Sequence, residues 1–217
     1  MKLVFKRFGA YIIDILIVSV VSALLSNIGT INYQLDKYVD TYDKVINVTE
    51  KYEKKEIKKK EYKIAMKNLS YTLDKNSTIT SIISIACLIG YFGIFQYSQN
   101  GRTIGKRVFK LQVVKNKNGC LNLGNYLLRC LILNNIIFVI ARLILIYTLS
   151  KNVYMNTSSY ISNIQAIFQL LIIVSMLMSK ENRGIHDYIA GTKIIDLKAG
   201  DELSNNKKKV IDGEIIK

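Results

Sequence analysis

A carboxylate and two guanidinium groups stand in or beside apolar runs of this sequence, and they are the first candidates for chemistry. Asp14 lies inside the run 8–31, and Arg7 precedes it by two helical turns on nearly the same face. Arg129 lies near the start of a second run, 126–149. A carboxylate within a bilayer is costly, so Asp14 is a candidate to exchange a proton or a monovalent cation. The alternative is an ion pair that fixes helix register.

Amide side chains are expected to complete this polar cluster. If the runs that hold Asp14 and Arg129 enter the membrane from the same side, Asn134 and Asn135 lie at about the depth of Asp14. Their oxygens are then candidates to complete the coordination of a cation. The expected cluster consists of Arg7, Asp14, Arg129, Asn134 and Asn135.

Few residues are suited to metal, redox or nucleophilic chemistry. The chain has one histidine, His186, and three cysteines, at positions 87, 120 and 130, whose spacing fits neither a zinc site nor a disulfide framework. His186 precedes Asp187, and the two can hydrogen-bond, but no candidate nucleophile accompanies them. We therefore expect no enzyme, no metal site and no cofactor.

The composition separates into apolar blocks and basic connecting segments. The 217 residues are 50% hydrophobic but carry 31 Lys and Arg against 16 Asp and Glu, a net charge of +15. A nucleic-acid-binding globule would carry its charge as a patch, so nucleic acid is not an expected partner. The apolar residues instead form four runs, each near the ~20 residues that span a bilayer: 8–31, 79–97, 126–149 and 160–178. The sequence predicts an all-α membrane protein with four transmembrane helices.

The first apolar run also has some features of a signal peptide. Lys2, Lys6 and Arg7 precede it, and Val21-Ser22-Ala23 resembles a small-residue cleavage site. The run nevertheless continues past this site and carries Asp14, which favours a membrane span.

The distribution of Lys and Arg predicts the orientation of the spans. The N-terminus, the segment 98–125 and the tail after Met178 share one side and hold 17 of these residues, against 12 on the other side. We therefore expect a multi-pass protein of the cell membrane with both termini in the cytoplasm. The six basic residues of 98–125 occur without any acid, which predicts contact with anionic lipid headgroups of the bilayer.

The connecting segments are expected to fold locally. Apolar residues at helical spacing in the extracytoplasmic loop 32–76 predict a helical hairpin that extends the first two spans. Its Lys-rich stretch, residues 54–63, interleaves acids, which is typical of a solvated helical face, with a docking surface as the alternative. Alternation in the cytoplasmic loop 98–125 predicts a small β-hairpin with Cys120–Leu123 as the return strand. A strand at Thr192–Leu197 is a second candidate partner.

Three segments carry a resemblance to a known family. They are Lys6-Arg7-Phe8-Gly9-Ala10 with Ile13-Asp14, then Gly101-Arg102-Thr103-Ile104-Gly105-Lys106, and finally Arg183-Gly184-Ile185-His186-Asp187. In order and topology they resemble the signatures of the RDD family of bacterial membrane proteins. The resemblance implies an RDD membrane domain over residues 1–197. The basic tail that follows, 198–217, departs from the family pattern, and its composition predicts disorder. It also implies that the arginine and two aspartates of the family name are Arg7, Asp14 and Asp187, supported by His186, Gly101, Gly105 and Lys106.

The resemblance implies a fold more than an activity. RDD proteins have been proposed to act in transport, including the exchange of monovalent cations for protons, and similar domains occur in proteins that help to assemble membrane complexes. One hypothesis is a small transporter or transporter subunit that uses Asp14 and, with only four helices, forms a homodimer. The other is a non-catalytic scaffold or assembly factor that binds a partner or anionic lipid.

Overall fold

The chain is mostly helical, with one small sheet. The computed structural model describes residues 3–116 and 119–198. In chain order the elements are α1 (Leu3–Ser26), α2 (Leu35–Glu53), α3 (Lys59–Asn76), α4 (Thr78–Ser98), α5 (Ile104–Val108), β1 (Leu111–Lys115), α6 (Leu123–Leu133), α7 (Ile136–Thr148), α8 (Lys151–Met178), α9 (Ile185–Ile189) and β2 (Thr192–Asp196). The expected basic tail, from residue 199 onward, lies outside the described residues, as does the pair 117–118.

The long helices expose apolar side chains that a protein in water would bury. Leu16 is 59% exposed, Leu24 66% and Leu170 62%. By length and composition α1, α4 and α8 can each cross a membrane, and α6 with α7 adds a fourth span if the pair counts as one broken span. The predicted class, an all-α multi-pass membrane protein, is therefore confirmed.

The third apolar run is broken in its middle. α6 ends at Leu133 and α7 begins at Ile136, because Asn135 has a φ of 55°, in the left-handed region. Asparagine adopts this conformation more readily than most residues. Asn135 Nδ2 also donates to Gln169 Oε1 at 2.6 Å, which stabilises the break. The structure thus divides the run that the sequence treats as one span.

The sheet joins two segments that are far apart in sequence. β1 and β2 are antiparallel, with Val113 opposite Ile194. The return strand is therefore not Cys120–Leu123, and the second candidate partner is the one that pairs. The reason is burial, since a lone two-stranded hairpin is marginal in water. Pairing with β2 instead puts Val113 and Ile194 into a core that also contains Ala10.

The chain forms two compact units. The first contains Met1–Ile17, Ile89–Leu133 and Leu170–Lys217, and the second contains Val18–Leu88 and Asn134–Gln169. In the first unit, the buried core consists of Ala10, Leu111, Val113, Tyr126 and Ile194. All residues of the three sequence signatures belong to this first unit.

The second unit contains the helical hairpin that the sequence predicts for the loop 32–76. Its helices, α2 and α3, pack side by side, with the rings of Tyr52 and Tyr62 stacked at 4.3 Å near the turn. At the opposite end Asn76 Nδ2 donates to Thr41 Oγ1 at 3.0 Å. The helical form of this hairpin is therefore confirmed.

Candidate functional site

Asp14 is fully buried, and hydrogen-bond donors surround its carboxylate. Its Oδ1 accepts from the Tyr91 hydroxyl at 2.7 Å and from the Gly105 backbone N–H at 2.8 Å. Its Oδ2 accepts from Thr103 Oγ1 at 2.5 Å. The Lys106 ammonium lies 3.7 Å from the same Oδ2 and completes the site with a positive charge. A buried carboxylate needs such partners, because charge without them is strongly disfavoured away from water.

Two local features position these donors. Tyr91 lies on a π-helical segment of α4, Ile89–Phe95, an uncommon form of helix that is frequent at functional sites. Thr103 is the N-cap of the short helix α5, which also carries Gly105 and Lys106. At position 105 a Cβ would lie 2.1 Å from the Ala10 carbonyl oxygen, so only glycine allows α5 to approach α1 this closely.

Lys106 is a buried lysine that shares the carboxylate of Asp14 with neutral donors. Its side chain is 8% exposed, and its Nζ donates to Thr103 Oγ1 at 3.1 Å. The ammonium also lies 5.5 Å from the centre of the Phe92 ring. Burial lowers the pKa of Lys106 to about 7, with the charges of Arg129 and Arg7 adding to this effect and Asp14 opposing it.

Asp187, on α9, is the centre of a second buried polar group. Arg7 Nη2 donates to its Oδ2 at 2.5 Å, and Arg129 Nη1 donates to its Oδ1. Thr192 Oγ1 adds a hydrogen bond at 3.1 Å to Oδ1. Burial alone would raise the pKa of Asp187, but Arg129, His186 and Arg7 together hold it well below its usual value. Asp187 is therefore the counter-ion of two buried arginines.

His186 is neutral in this surrounding. Its ring is 1% exposed, and Nε2 lies 3.4 Å from Asp187 Oδ2. Burial lowers the pKa of His186 to about 3, because the attraction of Asp187 does not compensate for burial and for the nearby charges of Arg129 and Arg7. His186 therefore contributes packing and polarity, and not a positive charge, at neutral pH.

The arrangement corrects the expected cluster. Arg7 and Arg129 bind Asp187, whereas the cation beside Asp14 is Lys106. The physical reason is that α9 follows the last long helix and brings a second buried carboxylate to Arg7, whose Nη1 also donates to a backbone oxygen, that of Asn182.

The two amides of the expected cluster belong to the second unit. Asn135 there donates to Gln169, and Asn134 precedes it at the break between α6 and α7. In the first unit the groups that complete the Asp14 site are the hydroxyls of Tyr91 and Thr103. Neither hydroxyl stands out in the sequence, since a neutral side chain in an apolar run or beside two glycines carries no electrostatic signal.

Gly101 docks the loop before α5 onto the sheet. Its φ is 83°, and its carbonyl oxygen accepts from the Val113 N–H at 3.1 Å. A Cβ at this position would lie 2.3 Å from the Val113 carbonyl oxygen. A side chain at either glycine of the second signature would therefore clash with the backbone: Gly101 lies against β1 and Gly105 against α1.

The spans and the two buried carboxylate sites define a multi-pass membrane protein in which three distant segments form one polar centre. The model of the RDD family matches residues 2–191. The chain therefore belongs to the RDD family, as the three signatures indicate. No curated protein and no solved structure matches the chain.

Proposed function

We propose that the protein is a small transporter, or a subunit of one, that exchanges a monovalent cation for a proton at Asp14. The observation that carries the proposal is the buried pair of Asp14 and Lys106, with Nζ 3.7 Å from Oδ2. A lysine ammonium is itself a monovalent cation that occupies the carboxylate. A cation from solution that reached Asp14 would compete with it for the same oxygen.

Charge balance makes exchange the natural outcome of this competition. If Lys106 gives up one proton when a monovalent cation binds Asp14, the net charge of the buried site does not change. Burial penalises any net charge, so a one-for-one exchange is the least costly way to load the site. The hydroxyls of Tyr91 and Thr103, already within hydrogen-bond distance of Asp14, supply further oxygen ligands.

Transport across liposome membranes tests the proposal. The purified protein is reconstituted with a trapped pH-sensitive dye, and proton movement is recorded after addition of sodium, potassium or lithium. We expect cation-dependent proton movement in wild type and its loss in both Asp14→Asn and Lys106→Met. Matched controls are Asp36→Asn and Lys63→Met, which change exposed residues and should leave the rate unchanged. Silence of correctly folded wild type with all three ions would contradict transport.

A second candidate function is a non-catalytic scaffold or assembly factor. The observation that favours it is that the three signatures bind one another: Asp14 binds Thr103 and Gly105, and Asp187 binds Arg7. Such a centre fixes a fold even if nothing passes through it. In this case Asp14→Asn would reduce the amount of folded protein or of its complex, and no ion movement would exist to be lost. Size-exclusion chromatography of both proteins would also show whether a homodimer is present.

We also propose that the protein lies in the cell membrane with both termini and the segment 98–125 in the cytoplasm. The excess of Lys and Arg on that side supports this orientation. Cys120 is exposed within the segment and is a natural reporter. An impermeant maleimide should label Cys120 only after the cells are lysed, with Cys120→Ser as the control. Labelling of Cys120 in intact cells would reverse the orientation.

A further inference from the structure

Two arginines of the first unit face cavities that neither carboxylate site uses. A cavity of about 330 Å³ is lined by Ser98, Gln99, Asn100, Arg102, Arg107 and Gln112. A second, of about 260 Å³, is lined by Arg102, Arg107, Lys110, Leu111 and Leu197. Arg102 and Arg107 line both cavities, so their guanidinium groups are the shared feature of this surface.

Within residues 3–116 and 119–198, the side-chain partners of this arginine pair are neutral. Arg102 Nη2 donates to Gln112 Oε1 at 3.3 Å, and Arg107 Nη2 donates to Gln99 Oε1, so both partners are neutral amides. Among the ion pairs of residues 3–116 and 119–198, none joins either arginine to a carboxylate.

One nitrogen of the pair, Arg102 Nε, is a buried donor. Arg102 Nε is buried, and within the described part of the chain it makes no hydrogen bond. A buried N–H without a partner is destabilising, so a site of this kind favours an added acceptor. The acceptor that suits a guanidinium best is a planar or tetrahedral oxyanion, which takes two parallel N–H bonds.

The position along the chain identifies where the acceptor comes from. α4, a membrane span, ends at Ser98, and the first cavity is lined by this residue and by Gln99, Asn100 and Arg102 just after it. The surface is therefore placed at the level of the lipid headgroups. α5 then exposes Ile104 and Val108, at 42% and 64%, as apolar side chains suited to contact with acyl chains.

We propose that Arg102 and Arg107 form a binding site for the phosphate group of an anionic membrane phospholipid. The guanidinium groups bind the phosphate oxygens, and Ile104 and Val108 contact the hydrocarbon beside them. The proposal depends on the membrane fold and not on the transport function.

Electron paramagnetic resonance of spin-labelled lipids tests this site in the reconstituted protein. Spin-labelled phosphatidylglycerol in phosphatidylcholine membranes gives an association constant relative to spin-labelled phosphatidylcholine. Each basic residue near a membrane surface contributes about 1 kcal/mol, which is about fivefold in a binding constant. We expect the variant Arg102→Gln with Arg107→Gln, which removes two such charges, to lower this relative constant by about 25-fold. Arg107→Gln alone, at an exposed position, should give a smaller decrease without affecting the fold.

The matched control is Lys60→Gln with Lys63→Gln, which removes two positive charges from exposed positions of α3. Equal decreases in the control and in the arginine variant would overturn the proposal, because they would show a general charge effect. No decrease in the arginine variant would overturn it too. Soluble glycerol phosphate at millimolar concentration should not displace the labelled lipid, and displacement would show that the site takes free phosphate instead of a lipid.

Discussion

Substitution of Asp187 should lower the free energy of unfolding much more than substitution of Asp14, the other aspartate of the polar centre. Asp187 is the counter-ion of Arg7 and Arg129, and both side chains are 5% exposed. In the variant Asp187→Asn the carboxylate charge is lost, and two buried guanidinium groups stay behind. Neither arginine can neutralise itself, because guanidinium groups do not lose their proton in proteins.

The expected cost follows from measured buried ion pairs. Removal of one partner of such a pair destabilises a protein by about 3–5 kcal/mol. For a chain of this length 1 kcal/mol corresponds to about 2–4 °C in Tm. We therefore expect Asp187→Asn to lower Tm by about 6–20 °C. Asp14→Asn should lower it less, because Lys106 can lose its proton and because the amide oxygen of asparagine still accepts hydrogen bonds from Tyr91 and from the Gly105 N–H.

The chain provides its own probe for this assay. Cys130 is 1% exposed, so a thiol-reactive fluorescent maleimide reacts with it only when the protein unfolds in detergent. Cys120 is exposed and Cys87 is partly exposed, so both are replaced by serine in every protein compared. Asp36→Asn, at an exposed position of α2, is the control and should change Tm by no more than about 2 °C. If Asp187→Asn melted at or above the temperature of Asp14→Asn, the reasoning about the two counter-ions would be refuted.

Two further predictions concern the surroundings of these carboxylates. Because the pKa of His186 is lowered to about 3, its ring should keep the NMR signals of a neutral imidazole from pH 8 to pH 5. The free energy of unfolding that depends on the neutral ring should be complete above about pH 6.5 and should be lost as the pH falls towards 3. As the chain has one histidine, ¹⁵N-histidine labelling gives one ring to follow, and a titration near pH 6.5 would contradict this surrounding. Gly105→Ala should prevent α5 from docking, since its Cβ would lie 2.1 Å from Ala10 O, and it should lower the yield of folded protein in size-exclusion chromatography. Gly29→Ala, where no atom lies within 4 Å of the added Cβ, should leave the yield of folded protein unchanged. Equal loss of yield in both variants would refute the steric argument.

The helices could be predicted from the sequence because an apolar run of ~20 residues has few alternatives to a membrane span. The ends of these helices are harder to predict from the sequence. α1 begins at Leu3, earlier than the apolar run 8–31, because Lys6 and Arg7 lie inside the helix. Their charges are compensated by Asp196 and Asp187, from a segment almost two hundred residues away. A helix boundary taken from hydropathy falls at the first charged residue, because hydropathy does not register a counter-ion so far away in the sequence.

For the candidate site, the sequence identified charged members better than their pairing. Arg7 and Asp14 stand out because a charge in or beside a membrane span needs a reason, whereas Asp187 is indicated by the family resemblance. Helical spacing placed Arg7 and Asp14 on one face, but a shared face does not decide which of two carboxylates an arginine binds. That choice is made by α9 and β2, whose approach to α1 is a tertiary contact without a local pattern.

The position of Asp187 after the last long helix also determines the order of assembly. α8 ends at Met178, and synthesis proceeds from the N-terminus, so Arg7 and Arg129 leave the ribosome before their shared counter-ion exists. While the spans insert, both arginines are therefore without this carboxylate partner. The centre closes only when Asp187 and the strand β2 arrive. A chain that ended between Met178 and Asp187 would contain the candidate spans, but Arg7 and Arg129 would lack the carboxylate that pairs with them.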